Sequence, residues 1–182
     1  MKIGLGLYKQ KTHVPRTCTK CNKTIEKCEE YIKHCQYRGP VKIRCTDPAC
    51  AFRPSELTGS SKLATLYSAQ ESINDCAGNI TDAASMDCLA DVISDAAQEI
   101  EAVADEYRES ASNISDSFGQ TKQCDELEEK ADAIDTWKDE LENCASEIQA
   151  LADEAMDLND ELEEKYRDAQ EKAEEVAGNL EI

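Results

Sequence analysis

The run RTCTKCNKTIEKCEEYIKHCQYRGPVKIRCTDPACAFRPSEL, residues 16–57, carries the densest chemistry in the chain and decides how its first part folds. Cys18-Thr-Lys-Cys21 sets two thiols three positions apart, the spacing of a tight knuckle whose sulfurs can share one metal ion. A second pair, Cys45 and Cys50, follows after a segment of suitable length. Four thiolates in a tetrahedron form a closed structural zinc site with no open position for water, so Cys18, Cys21, Cys45 and Cys50 are the expected ligands. Folding of the segment should then be coupled to zinc binding. CTDPAC has four residues between its cysteines, a longer loop that still permits chelation. A set in which His34 or Cys35 replaces one ligand stays open. Strand neighbours point to opposite faces, so at most one of those two could face the ion. Cys28 and Cys35 otherwise read as small buried thiols of a miniature core, and His13, in a polar stretch, as exposed.

Between the two pairs, residues 30–37 alternate as a strand does. Arg38-Gly-Pro40 reads as the turn and Val41-Lys-Ile-Arg44 as the returning strand. Knuckle, hairpin, second ligand pair and a helix starting near Pro54 is the order of treble-clef and zinc-ribbon modules. MKIGLGLYK would add a strand to the module.

With CxxCxxxI, a Tyr-Ile strand and a cysteine pair followed by RPSEL, the segment resembles small bacteriophage-encoded zinc-finger proteins of unknown function. The resemblance covers residues 14–75 and, more weakly, the rest. It implies a viral accessory protein and brings no activity with it. The first knuckle also resembles the finger of poly-ADP-ribose polymerases, though no HxxC pair follows here.

Outward from this segment the composition divides. Residues 1–54 hold twelve Lys and Arg against four acids, a net of +8, and all four prolines; residues 55–182 hold eight bases against 35 acids, a net of −27, and no proline. The overall charge of −19 hides this asymmetry. Two modules are expected: a basic zinc-binding module over 1–54, and an acidic helical part over 55–182 with a long C-terminal helix. From Leu127 an apolar residue recurs every seventh position through Ile134, Leu141, Ile148, Ala155, Leu162, Ala169 and Val176. That repeat predicts one helix over 122–177, roughly 80 Å long, in a coiled coil. A second series, Met86, Ile93, Ile100, Tyr107 and Ile114, predicts a helix capped at Thr81 or Asp82 and ending before Ser115. The short link makes the two antiparallel, folded about residue 118, with Ala155 opposite Asp82. A shorter helix over 60–76, broken at Gly78-Asn79, completes an antiparallel three-helix bundle. Residues 156–177 would overhang it, with Leu158, Leu162, Tyr166 and Val176 free to form a homodimer. Cys76, Cys88, Cys124 and Cys144 lack ligand spacing and read as buried thiols, and Trp137 reads as core.

No apolar run approaches the roughly 18 residues of a membrane span. The first residues carry no signal-peptide cleavage pattern. Cysteines in a reducing compartment are thiols or metal ligands, so a cytoplasmic location (the host cytoplasm for a viral protein) is expected. Only two histidines, no phosphate-cradling glycine loop and no nucleophile motif argue against an enzyme. The leading expectation is a non-enzymatic zinc-finger and coiled-coil protein that docks on a protein partner and modulates a host or viral machine. A second is a nucleic-acid-binding finger on an acidic oligomerising coiled coil, with Lys20, Lys23, Lys33, Arg38, Lys42 and Arg44 on phosphates, Lys27 beside them, and Tyr31 and Tyr37 stacking on bases. In a third, the acidic run Asp125–Glu175 imitates nucleic acid and inhibits a host enzyme.

Overall fold

The fold comes from a computed structural model that describes residues 2–4, 6–35, 40–157 and 162–179. The chain forms two compact units, residues 1–64 and 65–182. In the first, strands β1 (Lys2–Gly4), β2 (Leu7–Lys11), β5 (Glu30–Cys35) and β6 (Val41–Cys45) form an antiparallel sheet in the order β1-β2-β5-β6. The added N-terminal strand is thus a hairpin, with β2 paired on β5. A separate two-stranded hairpin, β3 (Arg16–Thr17) and β4 (Thr24–Ile25), carries the knuckle. The expected returning strand is β6; the turn expected at Arg38-Gly-Pro40 lies mostly outside the described residues, as do Arg38 and Tyr37 themselves.

Register assigns the two faces of the sheet. Directly opposed residues share a face, and neighbours along a strand alternate. Gln10, Tyr31 and Cys45 fall on one face together with Lys33 and Ile43. Here Cys18, Ile25, Tyr31, Cys45 and Cys50 make a small core, with Ile43 against it. Lys9, Ile32 and Arg44 fall on the other face with His34 and Lys42. Phe52 and the short helix α1 (Pro54–Leu57) serve this second face: His34 and Phe52 rings lie 5.5 Å apart, and Arg44 sits 5.2 Å over the Phe52 ring. Gly6 has φ +69°, and a Cβ there would come within 3.3 Å of the His34 ring, so only glycine lets β2 pass the imidazole.

The boundary expected at residue 54 moves to 64. Pro54–Leu57 belongs to the basic unit because Glu56 is bound to it, through Arg44 and through Lys42 Nζ at 3.7 Å.

In the second unit α2 (Ser61–Ala77) crosses the boundary and is followed by α3 (Ala83–Phe118), α4 (Lys122–Asp157) and α5 (Leu162–Gly178). Asp82 caps α3, its carboxylate accepting from Ser85 N while Ser85 Oγ accepts from Asp82 N. The helix runs on past Ser115 to Phe118, where Gly119, at φ 77°, ends it and donates to Ser115 O. α3 and α4 pack antiparallel. Lys138 Nζ meets Glu101 at 2.9 Å, Gln149 Nε2 meets Asp87 at 2.6 Å, and Arg108 pairs with Asp135. Met86, Leu89, Ile93, Ile100 and Tyr107 are buried from α3, and Ile134, Trp137, Leu141, Ile148 and Ala155 from α4. These are the heptad positions of both series, while Ile114 and Leu127 are only half-buried.

The single helix expected over 122–177 is instead two. α4 stops at Asp157, and α5 runs back along it. Lys165 pairs with Glu154 and Lys172 with Glu147; Asn179 Nδ2 meets Glu140 at 3.0 Å; Trp137 Nε1 donates to Val176 O at 2.8 Å. Gln70 of α2 donates to Ala177 O at 2.8 Å. Ala169, Ala173, Val176 and Ala177 are consequently buried in their own chain. Of the residues expected to form a homodimer through 156–177, Val176 is buried within its own chain and Tyr166 is half-buried. Leu158 lies outside the described residues.

Trp137→Ala should cost about 3–5 kcal/mol, since it empties a fully buried aromatic site and leaves the Val176 carbonyl without its donor. Hydrogen exchange should quicken over 162–178 before it does at the centre of α3. Unchanged exchange there would contradict the packing of α5 on α4.

Candidate metal centre

The first ligand pair is shaped by its own backbone. Cys18 N donates to Lys23 O at 2.9 Å and Asn22 N to Cys18 O at 3.0 Å, closing the turn. Asn22 stands at φ 58°, a left-handed position that asparagine tolerates better than most residues. Thr19 fastens the turn to β6, its N and Oγ1 donating to Ile43 O at 2.8 and 2.9 Å. The second pair needs a device to bring its more distant cysteine back. Cys45 ends β6, and Asp47 Oδ1 accepts from Ala49 N at 2.9 Å, capping a 3-10 turn over Pro48–Cys50. Cys50 N closes that turn on Asp47 O at 2.8 Å, so the four-residue loop CTDPAC returns its second thiol to the first.

The sulfurs of Cys18, Cys21, Cys45 and Cys50 converge, all within 4.8 Å of one another, and this group can hold a metal ion. Cys21 Sγ and Cys45 Sγ are 3.8 Å apart. A metal–sulfur bond of about 2.3 Å in a tetrahedron gives a sulfur–sulfur edge of about 3.8 Å, so the spacing fits. Cys18, Cys45 and Cys50 are buried and Cys21 is exposed.

The protons fit the same arrangement. Burial pushes the Cys18 thiol up, but the backbone N–H groups of Cys21, Cys45 and Lys20 outweigh it and bring the thiol down to about 6. Cys50 is pushed up to about 12, by burial and then by the sulfurs of Cys21, Cys45 and Cys18. Cys45 is raised as well: the Asp47 N–H favours its thiolate, but burial and the Cys18 and Cys21 sulfurs prevail. Without a cation at the centre, then, the Cys18 thiolate forms readily while Cys45 and Cys50 resist. A divalent ion removes that conflict.

His34 is not in the group. It is buried against Phe52 on the opposite face of the sheet, and burial, then Lys42, lower its pKa. Cys35, the last residue of β5, is exposed, and so is Cys28, at φ 73°. The expectation that both pack a core fails, because the core space is taken by the cluster, Ile25 and Tyr31. Of the helical cysteines, Cys124 and Cys144 are buried as expected, Cys76 is half-buried and Cys88 is exposed.

The cations expected on phosphates do not form one surface. Lys20, Lys23 and Lys27 are exposed near the knuckle, whereas Lys33 and Lys42 fall on opposite sheet faces. Arg44 is 6% exposed and committed to Glu56 and Phe52, so it is a buried structural cation and no phosphate contact. Arg38 lies outside the described residues. Tyr31 is 4% exposed and packs the module. The sequence reading passed over Arg16, which lies 5.4 Å over the Tyr31 ring, and Lys11 and His13, which share a cleft with it. The clustering of Lys9, Lys11, His13 and Arg16 before the knuckle was the available signal.

No family model matches the chain, and no curated protein or solved structure matches it either.

Alkylation at neutral pH on metal-loaded protein should label Cys28, Cys35 and Cys88 and spare the four clustered thiols, Cys124 and Cys144. A chelator should add Cys18, Cys21, Cys45 and Cys50 to the labelled set, as read by peptide mass spectrometry. Labelling of the four at the same rate with and without chelator would refute a bound ion. A second test concerns Glu56→Ala, which leaves Arg44 buried and unpaired and should destabilise the first unit by about 3–5 kcal/mol in urea unfolding. Its Arg53 backbone bond and the Arg44 and Lys42 charges outweigh burial and hold Glu56 below the ordinary carboxyl value of 4.5. Its share of stability is therefore complete above that pH, is lost as pH falls through the lowered native value, and should vanish from the variant's pH profile.

Proposed function

We propose that the chain is a non-enzymatic, zinc-stabilised interaction protein, a viral accessory factor that modulates a host or viral macromolecular machine. The observation that carries this reading is the closed group of four sulfurs, Cys18, Cys21, Cys45 and Cys50. A shell filled by four protein thiolates suits zinc, the usual ion of such sets. It leaves the ion no site for water or substrate, so its work is to hold the knuckle, the sheet and the Cys45–Cys50 loop in one shape. The heptad positions buried between α3 and α4 support the coiled-coil reading of the second unit, a rigid acidic element built of helices 36 residues long. Among the described residues no helix is long and apolar enough to cross a membrane.

A second reading, nucleic-acid binding by residues 1–54, has its own support. Glu56 engages Lys42 and Arg44, and Glu30 engages Lys9 and lies opposite Lys11, but Arg16, Lys20, Lys23, Lys27 and Lys33 have no carboxylate partner among the described residues. Such a surplus of positive charge attracts a polyanion.

The test is capture from extracts of cells that express the chain, with tagged zinc-loaded protein beside the Cys18→Ser/Cys50→Ser variant. One zinc per wild-type chain by elemental analysis and a specific partner missing from the variant are expected. Absence of any specific partner, or its equal recovery by the metal-free variant, would end the reading.

A further inference from the structure

At the end of β2 the chain leaves the sheet and runs toward the knuckle, and the two sides of this bend enclose a cleft of about 520 Å³ lined by Gln10, Lys11, His13, Val14, Arg16 and Tyr31. Its floor is fixed. Tyr31 is 4% exposed and its hydroxyl donates to Gln10 Oε1 at 2.8 Å; Thr12, 2% exposed, donates its hydroxyl to Val14 O, while its backbone N–H donates to Glu29 O at 3.0 Å. Its rim is open, with Lys11, His13, Val14 and Arg16 all exposed. Lys9, also at the rim, is paired with Glu30 at 2.9 Å. Glu30 also lies opposite Lys11 and interacts with its charge, so one carboxylate faces two lysines, while His13 and Arg16 join no salt bridge among the described residues.

We infer that this cleft binds a single strand of nucleic acid, with Lys11 and Arg16 on consecutive phosphates and the outer face of the Arg16 guanidinium stacked on a base. The inference rests on the interaction reading above and names the class of partner.

Three observations favour this occupant. First, Lys11 and Arg16 sit at the ends of strands on the two sides of the bend, over a fixed floor. Second, the Arg16 guanidinium carbon lies 5.4 Å over the Tyr31 ring, which places a planar cation against the aromatic floor of the cleft while the residue stays exposed. A planar cation held this way is a stacking surface for a nucleobase, whereas a carboxylate would approach its N–H edge. The buried Tyr31 ring cannot receive a base itself, so Arg16 extends the stack from the core to the surface. Third, concave sites of about 300–1,000 Å³ hold ligands of nucleotide size, and a duplex does not enter such a space. Val14, 56% exposed, offers apolar contact for a sugar or base edge beside the charges.

The test uses zinc-loaded full-length protein and fluorescence anisotropy on mixed-sequence DNA and RNA strands of about 15 nucleotides, near the upper site size for one small module. A matching duplex and a polyglutamate peptide serve as the competing probes. Binding of single strands in preference to both is expected, with a log–log salt slope of about −1.4 to −2.1 for two to three phosphate contacts. Lys11→Glu and Arg16→Glu should each weaken binding by about tenfold or more, the loss expected when one phosphate contact turns repulsive. Arg16→Lys, which keeps the charge and removes the plane, should lose several-fold, while Lys27→Glu, outside the cleft, should change little. Lys11 is exposed at the end of β2, and one zinc per chain verifies that every variant remains folded. Equal binding of polyglutamate would overturn the inference in favour of an acidic protein partner. Tighter binding of the duplex would overturn the single-strand assignment. No binding at low salt, or losses from Lys27→Glu equal to those from Lys11→Glu, would overturn the cleft. If capture still returns a metal-dependent protein partner after such a failure, the interaction reading stands and only this inference falls.

Discussion

Four thiols brought within 4.8 Å of one another set the terms for the first unit. Sulfur spacing close to a tetrahedral edge is poor packing for neutral groups and worse for charged ones, as the opposite shifts at Cys18 and Cys50 express. A unit of this size has little else to rely on. Its described apolar core is Ile25, Tyr31, Ile43 and the cysteines themselves. Small domains with so little burial commonly need a metal or disulfides to fold. The knuckle, the 3-10 turn at Pro48–Cys50 and the Thr19 bonds to Ile43 are all arrangements that deliver a sulfur to the centre.

The second unit solves a different problem. Its helices carry far more acid than base, yet few of its ion pairs are shielded from water, so charge contributes little to its stability. Burial of Leu89, Ile93, Ile100, Ile134, Leu141 and Ile148, all fully inaccessible, does most of the work. Alanines at 96, 97 and 104 of α3 and at 131, 145 and 152 of α4 let the axes come close. Ala169, Ala173 and Ala177 do the same for α5.

Much of this could be read in the residues. The clustering of the four cysteines followed from the CxxC spacing and a second pair, the helix pairing from the sevenfold repeat, and the α3 cap from Asp82. What could not be read has physical causes. A seven-residue repeat continues through a reversal of chain direction without a change of phase, because both arms of a helical hairpin bury the same kind of stripe. Leu127 to Val176 therefore reads as one helix, and contacts such as those of Lys172 with Glu147 and of Trp137 with Val176 reveal two. Arg44 was misjudged because a cation on a strand looks the same whether it faces water or a glutamate, and Glu56 lies too far along the chain to be assigned to it by spacing. Cys28 and Cys35 are exposed because the four clustered cysteines, with Ile25 and Tyr31, take up the volume that these small thiols would otherwise fill.

The bond from Gln70 to Ala177 joins residues 107 positions apart, and it closes the second unit with the last turn of its last helix. Residues 1–64 form a compact unit, so on the ribosome most of that unit can fold before the second unit is complete. Helix α2 then has to wait, its Leu66 and Ile73 without their final surroundings, until α5 has been made. That wait exposes a short apolar segment during synthesis, and the dense acidic charge beside it keeps nascent chains apart while it lasts.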